Sequence, residues 1–165
     1  MSDPKRNRPG RGGGSKVTGQ ADQPESTSPA HVAEAATLGC ALMSTDARAG
    51  IIDLLDLDDF DREAHRTLFG VLVKMHAAGE HVDPITVNDR LHTCGLLDEV
   101  GGGAAVWELA DPLVSPSPAA WRNYAEIVVR EGRRRRGIRV LQRGIDRLEA
   151  GDDPAVVAAD MAVVV

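Results

Sequence analysis

The sequence predicts an all-α protein, a small helical bundle followed by a protruding helical hairpin. Three observations carry that prediction. From residue 30 onward apolar residues recur at three- and four-residue spacing, and no stretch alternates apolar and polar side chains at period two. Helix start and stop signals punctuate the pattern, with Asp83-Pro84, Ser117-Pro118 and Asp153-Pro154 at starts and Gly79, Gly95 and Gly151 at ends. The helical pattern after Ser117 runs on to about Ala150, a rod of roughly 50 Å. That exceeds the ~14 Å radius of gyration of a domain this size, so the rod must project.

Residues 1–29 are rich in Gly, Pro, Ser and charge, a composition that buries too little apolar area to offset chain entropy, and they are expected to be a disordered basic tail. Within it GRGGGSKVT is half of a phosphate loop, but Ser15 and Val17 flank Lys16 where that loop needs Gly and Ser or Thr. Residues 30–116 form the expected bundle. Ala35, Leu38 and Leu42 line a first helix, and Asp46 is a cap for a second that buries Ile51, Leu54 and Leu55. Asp61 begins a third, with Ala64, Leu68, Val71, Leu72 and Met75 on one face, stopped by Gly79. After Asp83-Pro84, Val87, Leu91 and Cys94 face inward; the glycines at 101–103 lead into a short helix ending at Leu109. Residues 117–165 form the hairpin, the long helix returning through a second that starts at Asp153-Pro154.

The chain has 165 residues and a net charge of −6, which excludes a nucleic-acid coat as the role of the whole surface. The charge is unevenly placed: residues 44–63 carry seven acids and two arginines, residues 130–147 eight arginines and two acids. Such blocks favour an oriented contact with another surface. Phe60, Phe69, Trp107, Trp121 and Tyr124 are the only aromatics, too few for a base-stacking platform; Trp107 and Trp121 read as core or interface. Two isolated cysteines, Cys40 and Cys94, do not make a disulfide scaffold and point to a reducing, cytoplasmic setting. No apolar run reaches the ~18 residues of a membrane span.

Along the long helix, Tyr124, Ile127, Ile138, Leu141, Ile145 and Leu148 fall on one line of alternating three and four spacing, with Arg134 and Glu131 in its middle. A projecting half-apolar hairpin needs a partner, and a second copy of itself supplies one by symmetry. The oligomer interface is therefore assigned to Tyr124, Ile127, Arg134, Ile138, Leu141, Ile145 and Leu148. Four consecutive arginines point in four directions round a helix, so Arg133, Arg135, Arg136 and Arg139 are chiefly a solvated face and secondarily candidate contacts for DNA or an acidic partner. The acids Asp53, Asp56, Asp58, Asp59 and Asp61 lack the glycine and terminal Glu of a calcium loop and read first as helix caps and a solvated turn; a secondary reading, from the charge asymmetry, has them meet the arginines of a neighbouring subunit. No catalytic, metal or cofactor set is found. His65 reads as a structural hydrogen-bonding residue, and His76, His81, His92 and Cys94 fit no metal template.

Four stretches in order, EAATLGCALM (34–43), FDREAHRTLFGVL (60–72), HVDPITVNDRLHTCGLLDEVGG (81–102) and SPAAWRNYAEIVVRE (117–131), resemble the N-terminal domain of DnaB-type replicative DNA helicases. The resemblance runs from about residue 30 to the end. It implies hairpin pairing into dimers that build a ring, docking of primase or a helicase loader, and a cytoplasmic, nucleoid-associated place in DNA replication. The family's ATPase motifs are not found, so these residues are not expected to hydrolyse ATP. The function expected is thus a non-catalytic, homo-oligomerising replisome module without cofactor, with weak nucleic-acid contact and no membrane contact. The alternatives are a helix-turn-helix DNA binder built on ITVNDRLHTCG and the segment after it, and a motor-less inhibitor or decoy of a replicative helicase.

Overall fold

The computed structural model describes residues 28–111 and 117–164. The tail expected over 1–29 therefore lies outside the described residues, save for Ser28 and Pro29, which open the first helix. The order is α1 (Pro29–Met43), α2 (Thr45–Leu54), α3 (Glu63–Ala77), α4 (Pro84–Thr93), α5 (Gly103–Leu109), α6 (Trp121–Glu149) and α7 (Pro154–Val164), with single 3-10 turns at Leu57–Asp59, Asp98–Val100 and Pro118–Ala120. Among the described residues every regular element is helical.

The bundle is built around α1. Ala33, Ala36, Leu38, Cys40, Ala41 and Leu42 are all buried, which covers more than one face of the helix. Small side chains on every side let α2, α3, α5 and α6 all approach it. An amphipathic stripe of Ala35, Leu38 and Leu42 understated this role, because from Ala33 to Leu42 the helix is covered on nearly every side and only Val32 and Met43 at its ends leave large apolar side chains exposed. The Ser28 hydroxyl accepts the His31 amide at its start.

One residue, Ser44, joins α1 to α2. Its amide donates to the Cys40 carbonyl and its hydroxyl accepts the Ala47 amide at 3.2 Å. Ser44 is thus the cap expected of Asp46, which instead lies in the first turn, where a carboxylate meets the positive end of the helix dipole. Ile51 and Leu55 are buried, while Leu54 is 37% exposed. Helix α3 buries Leu68, Phe69, Val71, Leu72 and Met75, and the Phe69 ring packs on Phe60 with centroids 4.9 Å apart. Gly79 stops α3 at φ +67, a conformation that costs a side-chain-bearing residue ~1 kcal/mol or more. Asp83 and Thr86 form a reciprocal capping box at the start of α4, at 2.8 and 3.0 Å. Val87 and Leu91 are buried as expected, but Cys94 is exposed. It is the C-cap residue of α4, where the chain already turns away from the stripe that Val87 and Leu91 follow. Helix α5 buries Val106 and leaves Trp107 53% exposed, so of the two tryptophans only Trp121 joins the core.

The bundle does not end where the sequence placed its boundary. The first turns of α6 belong to it: Ala125 and Val128 are buried, and Trp121, Tyr124, Ile127 and Val129 pack against the core. The arm proper begins near Gly132, inside an unbroken 29-residue helix. Beyond that point α7 folds back antiparallel. Val157 is buried, Met161 lies directly on Gly144, and Arg147 bonds both Asp152 (2.7 Å) and Asp160 (2.8 Å) across the hairpin.

The Trp121 ring lies against Gly50 of α2 so closely that a Cβ there would overlap it. Gly50→Ala must push α6 off the bundle. We expect a loss of about 1–3 kcal/mol, read as a lower urea midpoint with unchanged slope; an unchanged midpoint would place the ring elsewhere.

Candidate protein-protein interface

The root of the arm is held by charge. Glu34, on the central helix and 1% exposed, accepts the Asp61 amide at 2.7 Å, the Arg62 amide at 3.4 Å and the Nδ1 of buried His65 at 2.8 Å. A carboxylate so enclosed would be strongly disfavoured without those donors. Burial alone pushes its pKa up, but the hydrogen bond from His65, the Asp61 amide, the attraction of His65 and the Arg62 amide together bring it below the ordinary glutamate value. Asp61 is also held low, first by its hydrogen bond with His31 at 2.9 Å and, against some burial, by the charges of Arg135, His31 and Arg66.

Helix α6 plugs into this acidic seat. Arg135 lies 3.4 Å from Asp61 and 3.7 Å from Glu34, and donates to the Asp59 carbonyl. Arg136 donates to the Asp59 carboxylate at 2.7 Å. The same carboxylate accepts the Asp56 amide at 3.0 Å, so the 3-10 turn and the arm share one anion. Gly132 makes the approach feasible: a Cβ there would stand 2.8 Å from the Asp59 Cα.

Two expectations need correction. Arg135 and Arg136 are not simply a solvated face: both close on acids of their own chain, with 17% and 36% of their side chains exposed. Likewise Asp59 and Asp61 meet the arginines of the same subunit, because the arm crosses the 3-10 turn before it leaves the bundle. Asp58 is exposed, and Asp53 and Asp56 also face outward. Arg133 and Arg139 are exposed with no hydrogen bond or ion pair among the described residues, and Arg134 bonds Glu131 at 2.9 Å. Glu34 and Gly132 were missed. A lone acid inside the apolar run of α1 was the available signal for the first. Nothing in a single sequence marks the second, since its constraint comes from a residue 73 positions away.

The apolar seam is divided by the same geometry. Tyr124 and Ile127 are half-buried against the molecule's own core. Ile138 (52%), Leu141 (58%), Ile145 and Leu148 are exposed along the arm, and Val156 of α7 is exposed as well. Four large apolar side chains at 3, 4 and 3 residue intervals form a ridge roughly 15 Å long. Other features carry less. His81 bonds Asp83 at 3.1 Å, and among the described residues no three His, Cys, Asp or Glu side chains gather as a metal site. Helix α5, the would-be recognition helix of a DNA reader, has seven residues and no basic side chain. No helix among the described residues is long and apolar enough to cross a membrane.

Fold and site together define a helical scaffold domain: a bundle from which one clamped arm carries a bare apolar ridge. The comparisons then give the family. The DnaB-like helicase N terminal domain matches residues 27–130, and the chain belongs to that family. It is 33% identical over 129 residues to the replicative DNA helicase DnaB of Mycobacterium leprae (strain TN), covering 76% of this chain and 21% of that protein. It is 36% identical over 107 residues to the same helicase of Geobacillus stearothermophilus, covering 65% and 23%. The chain thus spans about a quarter of the length of these relatives. The crystal structure of the N-terminal domain of DnaB helicase from Mycobacterium tuberculosis superposes with a TM-score of 0.75 at 30% identity, over 81% of this chain and 94% of that one. A DnaB-like replicative helicase, solved in a study of its interactions with primase, shares the fold with a TM-score of 0.68 at 20% identity, over 81% of this chain and 31% of that one.

Glu34 and Asp61 have depressed pKa values in the folded state, so their contribution is present above about pH 4, the ordinary carboxylate range, and is lost as pH falls through the folded values. Glu34→Gln should remove about 2–3 kcal/mol at pH 7 and flatten the fall in unfolding free energy between about pH 4 and 2. Urea unfolding at a series of pH values checks both; an equally steep acid limb in the variant would exclude Glu34 as its source.

Proposed function

We propose that this chain is a non-catalytic assembly domain of a replicative helicase: it pairs with further copies through the arm and presents its bundle to primase or a helicase loader in DNA replication. The observation that carries the pairing is the exposed ridge of Ile138, Leu141, Ile145 and Leu148 on a helix whose root is locked. Burying each such side chain is worth about 1.5–3 kcal/mol. A two-fold axis beside α6 lets the ridge cover itself. Family membership supports the replication setting, and the printed interaction of a fold neighbour with primase supports the choice of primase as a partner. The interface is then Ile138, Leu141, Ile145 and Leu148 with Val156 at its edge. Arg134, paired with Glu131 on the same line, interrupts the apolar contact and fixes its register.

Light scattering tests the pairing. The 17.6 kDa chain is expected to run above monomer mass, and Ile138→Asp with Leu141→Asp to run as a monomer with the same urea midpoint. A native chain that is monomeric at 100 µM would end this reading. For the docking half, co-elution of the chain with primase is the expected result; its failure with a chain that does pair would remove primase alone.

A further inference from the structure

The outward face of α3 is sunk between two walls. Leu57, on the 3-10 turn before the helix, forms one; Leu96 and Glu99, in the segment after α4, form the other. The groove between them encloses about 380 Å³. Arg66, Gly70 and Lys74 run along its floor at four-residue spacing, one line of the helix, with Thr67, Val71 and Val73 beside them. Arg66 marks the side of the first wall, where it donates to the Phe60 carbonyl at 2.9 Å. Thr67 marks the side of the second, where it donates to Glu99 at 3.5 Å. Leu57 is exposed, and Val73 and Leu96 are only partly buried, so the groove is apolar within and open to solvent.

The fold does not require a glycine at the centre of that floor. Gly70 lies in the middle of a 15-residue helix, where only proline is less favourable. A Cβ built on it meets one atom outside the helix, the Leu57 Cδ2 at 3.5 Å, which is ordinary contact. Gly50, Gly132 and Gly144 differ, because at each of them an atom of another element would overlap such a Cβ. What Gly70 supplies is depth: bare backbone at the bottom of the groove lets a second helix settle closer than a longer side chain would allow.

Charge selects the occupant. Asp56 and Asp58 flank Leu57 on one wall, and Asp98 stands next to Glu99 on the other. All four are exposed, and none has an ion pair among the described residues. Of the two cations on the floor, Arg66 is paired with Glu63 at 2.6 Å, which leaves Lys74. Four free carboxylates around one ammonium repel phosphates, which disfavours a nucleic acid strand and an anionic lipid surface alike. We propose that this groove binds a basic amphipathic helix of a partner protein, its apolar stripe seated between Leu57 and Leu96 and its Lys and Arg side chains reaching the acids of both walls. The inference deepens the docking role proposed above and rests on it. The groove is separate from the arm: Leu57 and Asp59 share one 3-10 turn, but Asp59 holds Arg136 while Leu57 faces α3.

The test uses the full chain and a fluorescein-labelled peptide of roughly 18 Leu and Lys residues, with Leu at i, i+3, i+4 and i+7, read by anisotropy. Saturable binding with a Kd of about 1–100 µM is expected at about 0.1 M salt, weakening as salt rises. The same composition with Leu and Lys alternating has no helical stripe and should bind about tenfold more weakly. Gly70→Gln, which fills the floor, should weaken binding about tenfold with an unchanged urea midpoint. Asp58→Asn with Glu99→Gln should weaken it about threefold and make the salt dependence shallower. Gly70→Ala should raise the urea midpoint; a lower one would return the glycine to the fold and overturn the argument from it. Ile138→Asp with Leu141→Asp should bind the peptide as the native chain does. The proposal fails if the native chain shows no saturable binding, if Gly70→Gln and the double acid variant both bind as native, if the alternating peptide binds equally well, or if the ridge variant loses binding. It fails equally if Gly70→Gln lowers the mass by light scattering, which would make the arm of a second copy the occupant. Primase separates this inference from the docking role: co-elution with the native chain but not with Gly70→Gln supports both. Co-elution with the two alike keeps the docking role and ends the groove's part in it, whereas peptide binding without primase co-elution supports the groove and removes primase.

Discussion

The structure depends on one constraint: a buried carboxylate needs donors, and Glu34 sits at the centre of the bundle. Its donors come from the start of α3 and from His65, with Arg135 of α6 close by in charge. The three helices that meet there are thereby fixed in rotation as well as in distance, which apolar contacts alone do loosely. Asp59 extends the same logic by one layer, holding its own 3-10 turn closed while receiving Arg136. Neither carboxylate can lose its partners without leaving an uncompensated charge away from water.

The position of these anions decides the shape of the molecule. Because α6 is gripped at Gly132, Arg135 and Arg136, the eighteen residues from Gly132 to Glu149 leave the bundle in one direction and cannot fold back onto it. The ridge of Ile138, Leu141, Ile145 and Leu148 is left bare for the same reason. Helix α7 covers a different side of the arm, where Gly144 admits Met161 and Arg147 ties the returning chain through two aspartates. A rod stiffened on one side and apolar on another is suited to pairing, since little of the gain from burial is lost to ordering the chain.

Close approach by backbone recurs at each junction. Gly50 admits Trp121, Gly132 admits Asp59 and Gly144 admits Met161, each in the interior of a helix where glycine is otherwise unfavourable by roughly 1 kcal/mol. Along α6 the cost of Gly132 and Gly144 is offset by the contacts they permit. Gly137, between them, meets nothing within 4 Å, and the structure gives no account of it.

The sequence by itself determined what is local. The helical class, the Asp83 cap before Pro84, the stops at Gly79 and Gly95 and the hairpin turn before Pro154 are all consequences of residues within a few positions of one another, or of a period that a helix imposes. Tertiary structure decided what depends on distant pairs. The charge blocks at 44–63 and 130–147 announced an electrostatic contact, but only the folded chain showed that Asp59 and Asp61 meet Arg136 and Arg135 of the same molecule, because loop closure brings together groups about 75 residues apart that a linear reading keeps separate. The seam read along α6 was continuous in period and discontinuous in space: Tyr124 and Ile127 are beside the bundle, Ile138 to Leu148 beyond it. Periodicity fixes which face of a helix is apolar; where along its length that face is covered is set by what the rest of the chain packs there.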